Sequence, residues 1–345
     1  MPVPSVSIPS PVYRLPVVRF GETLYTVAEV AKQKIDWSLR AGGIPEVHKK
    51  TNGAGVHVLI ADTGEPRHPD LPAPVFSINC IGSPAGRFDR HGHSTHVAGI
   101  LGARGTLLGV APACQLSYCK ILGDDGSGPS RAMARAIDIG IERKVDLINL
   151  SAGGPPDPFV LQAILRANAA NVLLVIAAGN EGLAGVGYPA KWRFGLAVGS
   201  HNKDGRLSEF SSRGPEVTAT FPGEKILSCA VGGGYVEGSG TSMACPFGAG
   251  VVGLNISYDR ECAAAGKPVD KPIKTNADMV ARIKEAAIDE GPPGHDEGWG
   301  WGRVDTNKFV VGDAPPAPPS EGVDIGLGLK VQLIEYEGRT GFFLY

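Results

Sequence analysis

The chain has 345 residues, 33 Lys and Arg against 35 Asp and Glu, and a formal net charge of −2, a balance that excludes a basic footprint for nucleic acid or an anionic membrane surface. With 43% hydrophobic residues, a chain this long buries roughly three quarters of its unfolded surface as one body. The 48 Gly and 28 Pro point to many tight turns and argue against long helical bundles.

Residues 1–35 begin MPVPSVSIPSPVYRLPVV, with several prolines and no charged region before an apolar core. They read as an N-terminal extension, a possible short propeptide, rather than a secretory signal, with a helix-compatible stretch at residues 27–34. The expected location is the cytoplasm, or outside the cell if the chain is a trimmed form. From residue 56 the pattern changes to compact apolar runs of strand length: VHVLIADTG, then residues 115–122, 145–150, 172–178 and 194–199. None approaches the roughly 18 residues of a membrane span. Between them, residues 93–101, 130–143 and 158–170 carry apolar side chains at three- and four-residue spacing, so the order is strand, helix, strand. That alternation predicts an α/β fold, a mainly parallel sheet with helices on both faces and functional sites at the carboxyl ends of the strands. The core, residues 36–312, closes near GWGWGRVDTNKFV; residues 313–322 (DAPPAPPSEG) read as a stiff linker. The tail, residues 323–345, alternates apolar and polar positions as a strand or a hairpin with Gly338 in its turn. Six cysteines (Cys80, Cys114, Cys119, Cys229, Cys245 and Cys262) form no CxxC pair and are too sparse for a disulfide scaffold, so free thiols are expected.

Three segments place a reactive side chain beside glycines: IADTGEPRHPDL around Asp62, DRHGHSTHVAGI around His93, and GSGTSMACP around Ser242. A serine hydroxyl becomes a good nucleophile when a base takes its proton, and histidine does so best when a carboxylate fixes its tautomer. Asn180, in AAGN at the end of an apolar strand, offers an amide donor for a developing oxyanion, and the backbone N–H of Ser242 a second. Each residue alone has a plain structural reading as a turn or cap. His91, His93 and His96 also invite a reading as a metal cluster, but no acidic or thiol ligand lies at a fitting spacing.

These segments, in the order Asp, His, Ser, resemble the signatures of the subtilisin-like serine peptidases, or subtilases. GVAPACQLSYCKIL, AAGNEG, FSSRGP and FPGEKILS resemble other parts of that family's core, so the resemblance covers roughly residues 36–312. It implies a serine endopeptidase acting on extended polypeptide segments through an acyl-enzyme. Ser242 would be the nucleophile, His93 the general base and then acid, Asp62 the orienting carboxylate and Asn180 the oxyanion donor. Gly126, Ser127 and Gly128 would form one backbone edge of the substrate cleft and Ser151, Ala152 and Gly153 the other, with a peptide added between them as a strand. Gly187, in AGVGYPA, would floor an uncharged first specificity pocket that favours a large apolar residue before the scissile bond. An exopeptidase or dedicated processing peptidase and an inactive binding fold are the alternative readings.

Ser94 stands where the family usually has Gly, and Phe247-Gly248 where it usually has His-Val. Cys245 reads as a buried small residue, and His96 as a packed helix histidine. Chemistry requires no cofactor. The ARGTLL segment at residues 103–108 is shorter than the calcium loop of several subtilisins, and Asn202 stands where a weaker family site usually has Asp, so structural calcium remains possible with no site assigned. The arm SPVYRLPVVRF is suited either to lie across the cleft as the enzyme's own inhibitor or to pack outside the core.

Overall fold

In the computed structural model the described residues are 10–312, except 27–28, 30–34, 83, 85 and 270, together with the strands of the tail at 323–324, 330–336 and 339–344. The linker at 313–322, Gly338 and most of the helix-compatible stretch at 27–34 lie outside the described residues.

The apolar runs form a nine-stranded sheet. Strands β3 (His57–Asp62), β4 (Ser77–Asn79), β5 (Gln115–Lys120), β7 (Leu147–Leu150), β8 (Leu173–Ala177), β9 (Leu196–His201), β10 (Ala219–Pro222) and β14 (Arg303–Val304) are parallel, and β13 (Ala287–Ile288) closes one edge antiparallel, in the order β13-β14-β10-β9-β8-β7-β3-β5-β4. Because successive strand residues face opposite sides, Val58 and Ile60 enter one core and Leu59 and Ala61 the other. Burial on both faces explains why these strands read as continuous apolar runs.

Short helices α1 (Trp37–Ala41) and α2 (Ile44–Val47) precede the sheet. Helices α3 (His93–Gly102), α6 (Thr241–Ala264), α7 (Asn276–Ala286) and α8 (Thr306–Val311) supply Val97, Val252, Met279 and Phe309 to one core. Helices α4 (Ser130–Glu142) and α5 (Pro158–Ala169) supply Ile137 and Ile164 to the other. Helix α5 starts where Asp157 accepts the N–H of Phe159 and Pro158 fills the first turn, the combination that spares orphaned donors.

The extension is not a loose appendage throughout. Its strand β1 (Val12–Arg14) pairs with β6 (Ser127–Pro129). Its strand β2 (Arg19–Tyr25) edges an antiparallel ribbon with β11 (Ile226–Cys229) and β12 (Tyr235–Ser239). The arm is thus paired with two different sheets, its first strand with β6 and its second with β12. In the tail, Lys330–Tyr336 and Arg339–Leu344 pair as an antiparallel hairpin.

Candidate active site

The sheet order reverses between β3 and β7, and a crevice opens beyond the carboxyl ends of strands at such a point. Asp62 is the last residue of β3, and Ser151 follows β7 directly. His93 opens α3 after Gly92, whose φ of 98° suits glycine. Ser242 is the second residue of α6. The imidazole Nδ1 of His93 lies 2.8 and 2.9 Å from the two carboxylate oxygens of Asp62, and the N–H of Thr63 donates to the same carboxylate at 2.7 Å. Asp62, His93 and Ser242 are fully buried.

The contact between serine and histidine is not made. Ser242 Oγ donates to the carbonyl of Ser151 at 3.1 Å, and the buried Nε2 of His93 has no hydrogen-bond partner. Ser151 Oγ in turn donates to the Ser242 carbonyl at 3.3 Å. That carbonyl is free for it because Pro246, four residues on inside α6, has no N–H to offer.

Asn180 is held by two bonds to its Oδ1, from the N–H and the hydroxyl of Thr241, each 2.8 Å. This fixes Nδ2 toward the cleft, where it donates to the Val17 carbonyl at 2.9 Å. A Cβ at Gly240 would come within 3.0 Å of that Nδ2, so glycine there leaves the amide its room.

The two expected backbone edges face each other across the arm. Tyr13 lies opposite Gly128 and Arg14 opposite Ser127. Arg14 exchanges both backbone bonds with Gly153, at 2.9 and 3.1 Å, and the N–H of Leu15 donates to the Gly126 carbonyl at 3.1 Å. Residues 12–15 are thus the middle strand between the edges. The ring of Tyr13 is 1% exposed and packs against Gly154. Pro16 then interrupts the pattern, since it has no N–H, and the carbonyl that meets Asn180 belongs to Val17, one residue further along.

Beside Pro16 lies a cavity of about 290 Å³, lined by Gly153, Ala177, Ala178, Gly187 and Tyr188 among others. A Cβ at Gly187 would meet nothing within 4 Å, as an open pocket wall requires. The expectation of an uncharged pocket needs correction. Glu181 also lines it, its carboxylate accepting from Ser212 Oγ at 2.9 Å; the segment read for charge, residues 184–190, stops short of it.

Sequence reasoning also missed the carboxylate that organises the start of α3. Buried Asp89 accepts the N–H groups of His91, Gly92 and Thr95 and the hydroxyls of Thr63 and Thr95, at 2.6 to 3.0 Å. It therefore caps the helix that carries His93 and ties it to the residue after Asp62. Fully buried Lys120, opposite Asp62 in the sheet register, donates to the Thr63 carbonyl at 2.6 Å and to Asp124 at 2.9 Å. A signal was present in the DxxGH spacing, an acid four residues before a helix start.

The histidines do not gather as a metal cluster. His93 Nδ1 faces Asp62, while fully buried His96 turns Nε2 to the Val236 carbonyl at 3.0 Å, and burial pushes its pKa down to about 3. Cys245 is buried, its pKa pushed up to about 12. Among the described residues, His68, Asp70 and Cys229 bring potential ligand atoms together. Their polarity does not fit a cation. The N–H groups of Thr106 and Leu107 and the hydroxyl of Tyr235 point at the Asp70 carboxylate, and both His68 nitrogens are engaged, with the N–H of Asp70 and the Gly234 carbonyl. The short 103–108 segment is thus closed on a side-chain carboxylate. Asn202 likewise closes a turn, its Oδ1 accepting the N–H groups of Asp204 and Arg206.

A parallel α/β sheet with a buried Asp–His pair, a serine at a helix start and an amide aimed into a strand-lined cleft defines a serine protease. Residues 53–302 match the model of the subtilase family, and the chain belongs to that family. It is 40% identical over 237 residues to an intracellular serine protease of Paenibacillus polymyxa, covering 63% of this chain and 73% of the relative. It is 38% identical over 272 residues to a thermostable alkaline protease of Halalkalibacterium halodurans, covering 77% and 72%. With the major intracellular serine protease of Bacillus subtilis it shares 38% identity over 234 residues, covering 63% and 73%. Members of the family need no cofactor for catalysis. No helix among the described residues is long and apolar enough to cross a membrane.

Proposed function

We propose that this protease cleaves internal bonds of extended polypeptides through Ser242, His93 and Asp62, and that its own N-terminal arm holds it inactive until removed. With the cleft free, Ser242 Oγ turns from the Ser151 carbonyl to His93 Nε2. His93 takes its proton as Oγ attacks the scissile carbonyl, and Asp62 stabilises the imidazolium. Asn180 Nδ2 and the Ser242 N–H receive the developing oxyanion. Collapse breaks the peptide bond as His93 protonates the leaving amine. Water, deprotonated by His93, then hydrolyses the acyl-enzyme.

A substrate would occupy the place of residues 12–15, paired with Gly126, Ser127 and Gly128 on one side and Ser151, Ala152 and Gly153 on the other. The residue before the cut would enter the pocket at Gly187. Large apolar side chains fit its small-residue walls, and Glu181 admits lysine as a secondary choice. An arm that runs through the cleft and continues as β2 supports endopeptidase action, since chain is accommodated on both sides of the reacting point. The domains we assign are the extension at 1–35, the catalytic domain at 36–312, the linker at 313–322 and the tail at 323–345, and the proposed setting is the cytoplasm.

One observation carries the inhibitory reading: the arm follows the substrate path, yet Pro16 offsets it so that Val17, not Pro16, meets Asn180. The carbonyl on Asn180 is therefore out of register with the arm's strand pairing, and Ser242 Oγ stays on the Ser151 carbonyl instead of engaging it. The experiment follows intact mass during incubation of wild type and Ser242→Ala, with labelling of Ser242 by an organophosphorus reagent. Wild type should lose its first residues, up to about 25, and label only afterwards, while Ser242→Ala stays whole. Full-length wild type that labels at once, and gains no activity from a start at residue 26, would reject the inhibitory role.

A further inference from the structure

Strands β4 and β5 run side by side with Ile78 opposite Cys119 and Asn79 opposite Lys120. The next residue of the first strand, Cys80, donates its N–H to the Lys120 carbonyl at 2.9 Å. Two residues beyond Ile78, Cys80 lies on the same face as Cys119, and both pack into the core beneath α4. The two thiols are near enough to act on each other's ionisation, and the guanidinium of Arg135 on α4 acts on Cys80 as well. Both are free thiols. Cys119 is buried, whereas Cys80 is half-buried.

We propose that Cys80 and Cys119 form a redox pair that closes to a disulfide on exposure to a hydroperoxide. The two sulfurs are chemically unequal, as such a pair requires. The neighbouring Cys119 thiol and the positive charge of Arg135 hold the Cys80 thiol below its ordinary range, while the Cys119 thiol is pushed up. Cys80 is therefore the attacking thiolate and Cys119 the resolving thiol. Cys80 Sγ attacks the peroxide, an S–O bond forms, the O–O bond breaks, and the departing hydroxide takes up a proton to become water. Cys119 then attacks the sulfenic sulfur as it gives up its own proton. The S–S bond forms, the S–O bond breaks, and the oxygen leaves as a second water. Two thiols are oxidised and one hydroperoxide is reduced, with no further reactant.

The place of the bond gives it a consequence. Cys119 directly precedes Lys120, whose ammonium holds the Thr63 carbonyl beside Asp62. Cys80 begins the segment that leads through Asp89 to His93. The disulfide would pin the root of that segment to the strand beneath it.

The test uses the full-length Ser242→Ala chain, which cannot digest itself, treated with stoichiometric hydrogen peroxide and then alkylated. Expected is one cross-linked peptide pair containing Cys80 and Cys119 with the loss of two hydrogens, with Cys114, Cys229, Cys245 and Cys262 still alkylated. Dithiothreitol should restore both thiols. Arg135→Ala should slow closure several-fold, and Cys119→Ser should leave a dimedone-reactive sulfenic acid on Cys80. Oxidation that begins at Cys262 or another thiol, or Cys80 driven to sulfinic acid beside an intact Cys119 in the unsubstituted pair, would overturn the proposal. So would complete retention of six alkylatable thiols.

Discussion

Tyr13→Ala isolates what seats the arm, the proposed inhibitor, in the cleft. The Tyr13 ring is 1% exposed and packed on Gly154, and truncating a fully buried aromatic side chain costs about 3–5 kcal/mol inside a core. The pocket it leaves is at the surface, where water refills it. Its hydroxyl also finds no hydrogen-bond partner, which already offsets part of the gain. A loss of about 2–3 kcal/mol follows, or roughly 30- to 150-fold in affinity at about 1.4 kcal/mol per decade. The assay adds a synthetic peptide of residues 10–25 to a chain beginning at Thr26 and reads the inhibition constant against a chromogenic peptide substrate. The peptide carrying Tyr13→Ala should inhibit about 30- to 150-fold more weakly than the unsubstituted one. A companion peptide with Pro16→Ala regains an N–H that can reach the Ser151 carbonyl and removes the reason for the one-residue offset, so it should be cut after residue 16 instead of inhibiting. Equal inhibition constants for the unsubstituted and Tyr13→Ala peptides, or a Pro16→Ala peptide that stays intact and inhibits unchanged, would refute the reasoning.

Ser242→Ala and His93→Ala should each lower kcat by several orders of magnitude without multiplying in the double variant, the behaviour subtilisin itself shows; a double loss equal to the product of the single losses would contradict a shared mechanism. Enlarging Gly187 to Val should shift a peptide-library profile from Phe, Tyr, Leu and Met toward smaller residues before the cut, and a wild-type profile dominated by Arg would oppose the pocket assignment. Because main-chain N–H groups close residues 103–108 on Asp70, EDTA should move the melting temperature only modestly, whereas a large drop would reveal a metal site built elsewhere. Burial pushes His96 and His201 each down to about 3, below the ordinary value near 6.5, so the folded state binds fewer protons than the unfolded one between these limits. Their stabilisation is fully present above about pH 6.5 and is lost as pH falls through that window, by up to about 1.4 kcal/mol per pH unit for each ring. Urea midpoints should therefore fall from pH 7 to pH 4.5, with a shallower slope in His201→Gln, and a flat dependence would contradict it.

The strands were legible because a parallel sheet covered on both faces favours runs rich in apolar residues, as in residues 58–61 and 173–177. The segments around Asp62, His93 and Ser242 stood out because nucleophilic catalysis needs particular side chains beside turns, and the structure brings Asp62 and His93 into contact. What escaped depended on distance in sequence. Nothing local to Tyr13 or Pro16 shows that Gly128 and Gly153, more than 100 residues later, will flank them. Helix α7 was missed for a different reason: its start rests on the Thr275–Asp278 capping box, and only Met279, Ile283 and Ala286 mark its buried apolar face. Asp89 reads as one more charged loop residue until folding brings its carboxylate back over the start of α3. Glu181 was missed because a pocket draws its wall from several segments, and one window of sequence samples only one of them.

The ribbon beside the cleft ties the proposed removal of the arm to solubility. Strand β2 covers the outer edge of β12, from Tyr25 on Tyr235 to Arg19 on Ser239. If residues 10–25 are lost entirely, the N–H and C=O groups along Tyr235–Ser239 become an open strand edge, which is a template for pairing with another chain. The register shift between Val236 and Gly238 and the charge of Glu237 blunt that edge without closing it. A cut that frees residues 12–17 but leaves Arg19–Tyr25 seated would open the cleft and keep the ribbon covered. If the arm is removed as proposed, the position of the first cut would decide whether the shortened enzyme stays dispersed or associates through its own uncovered strand.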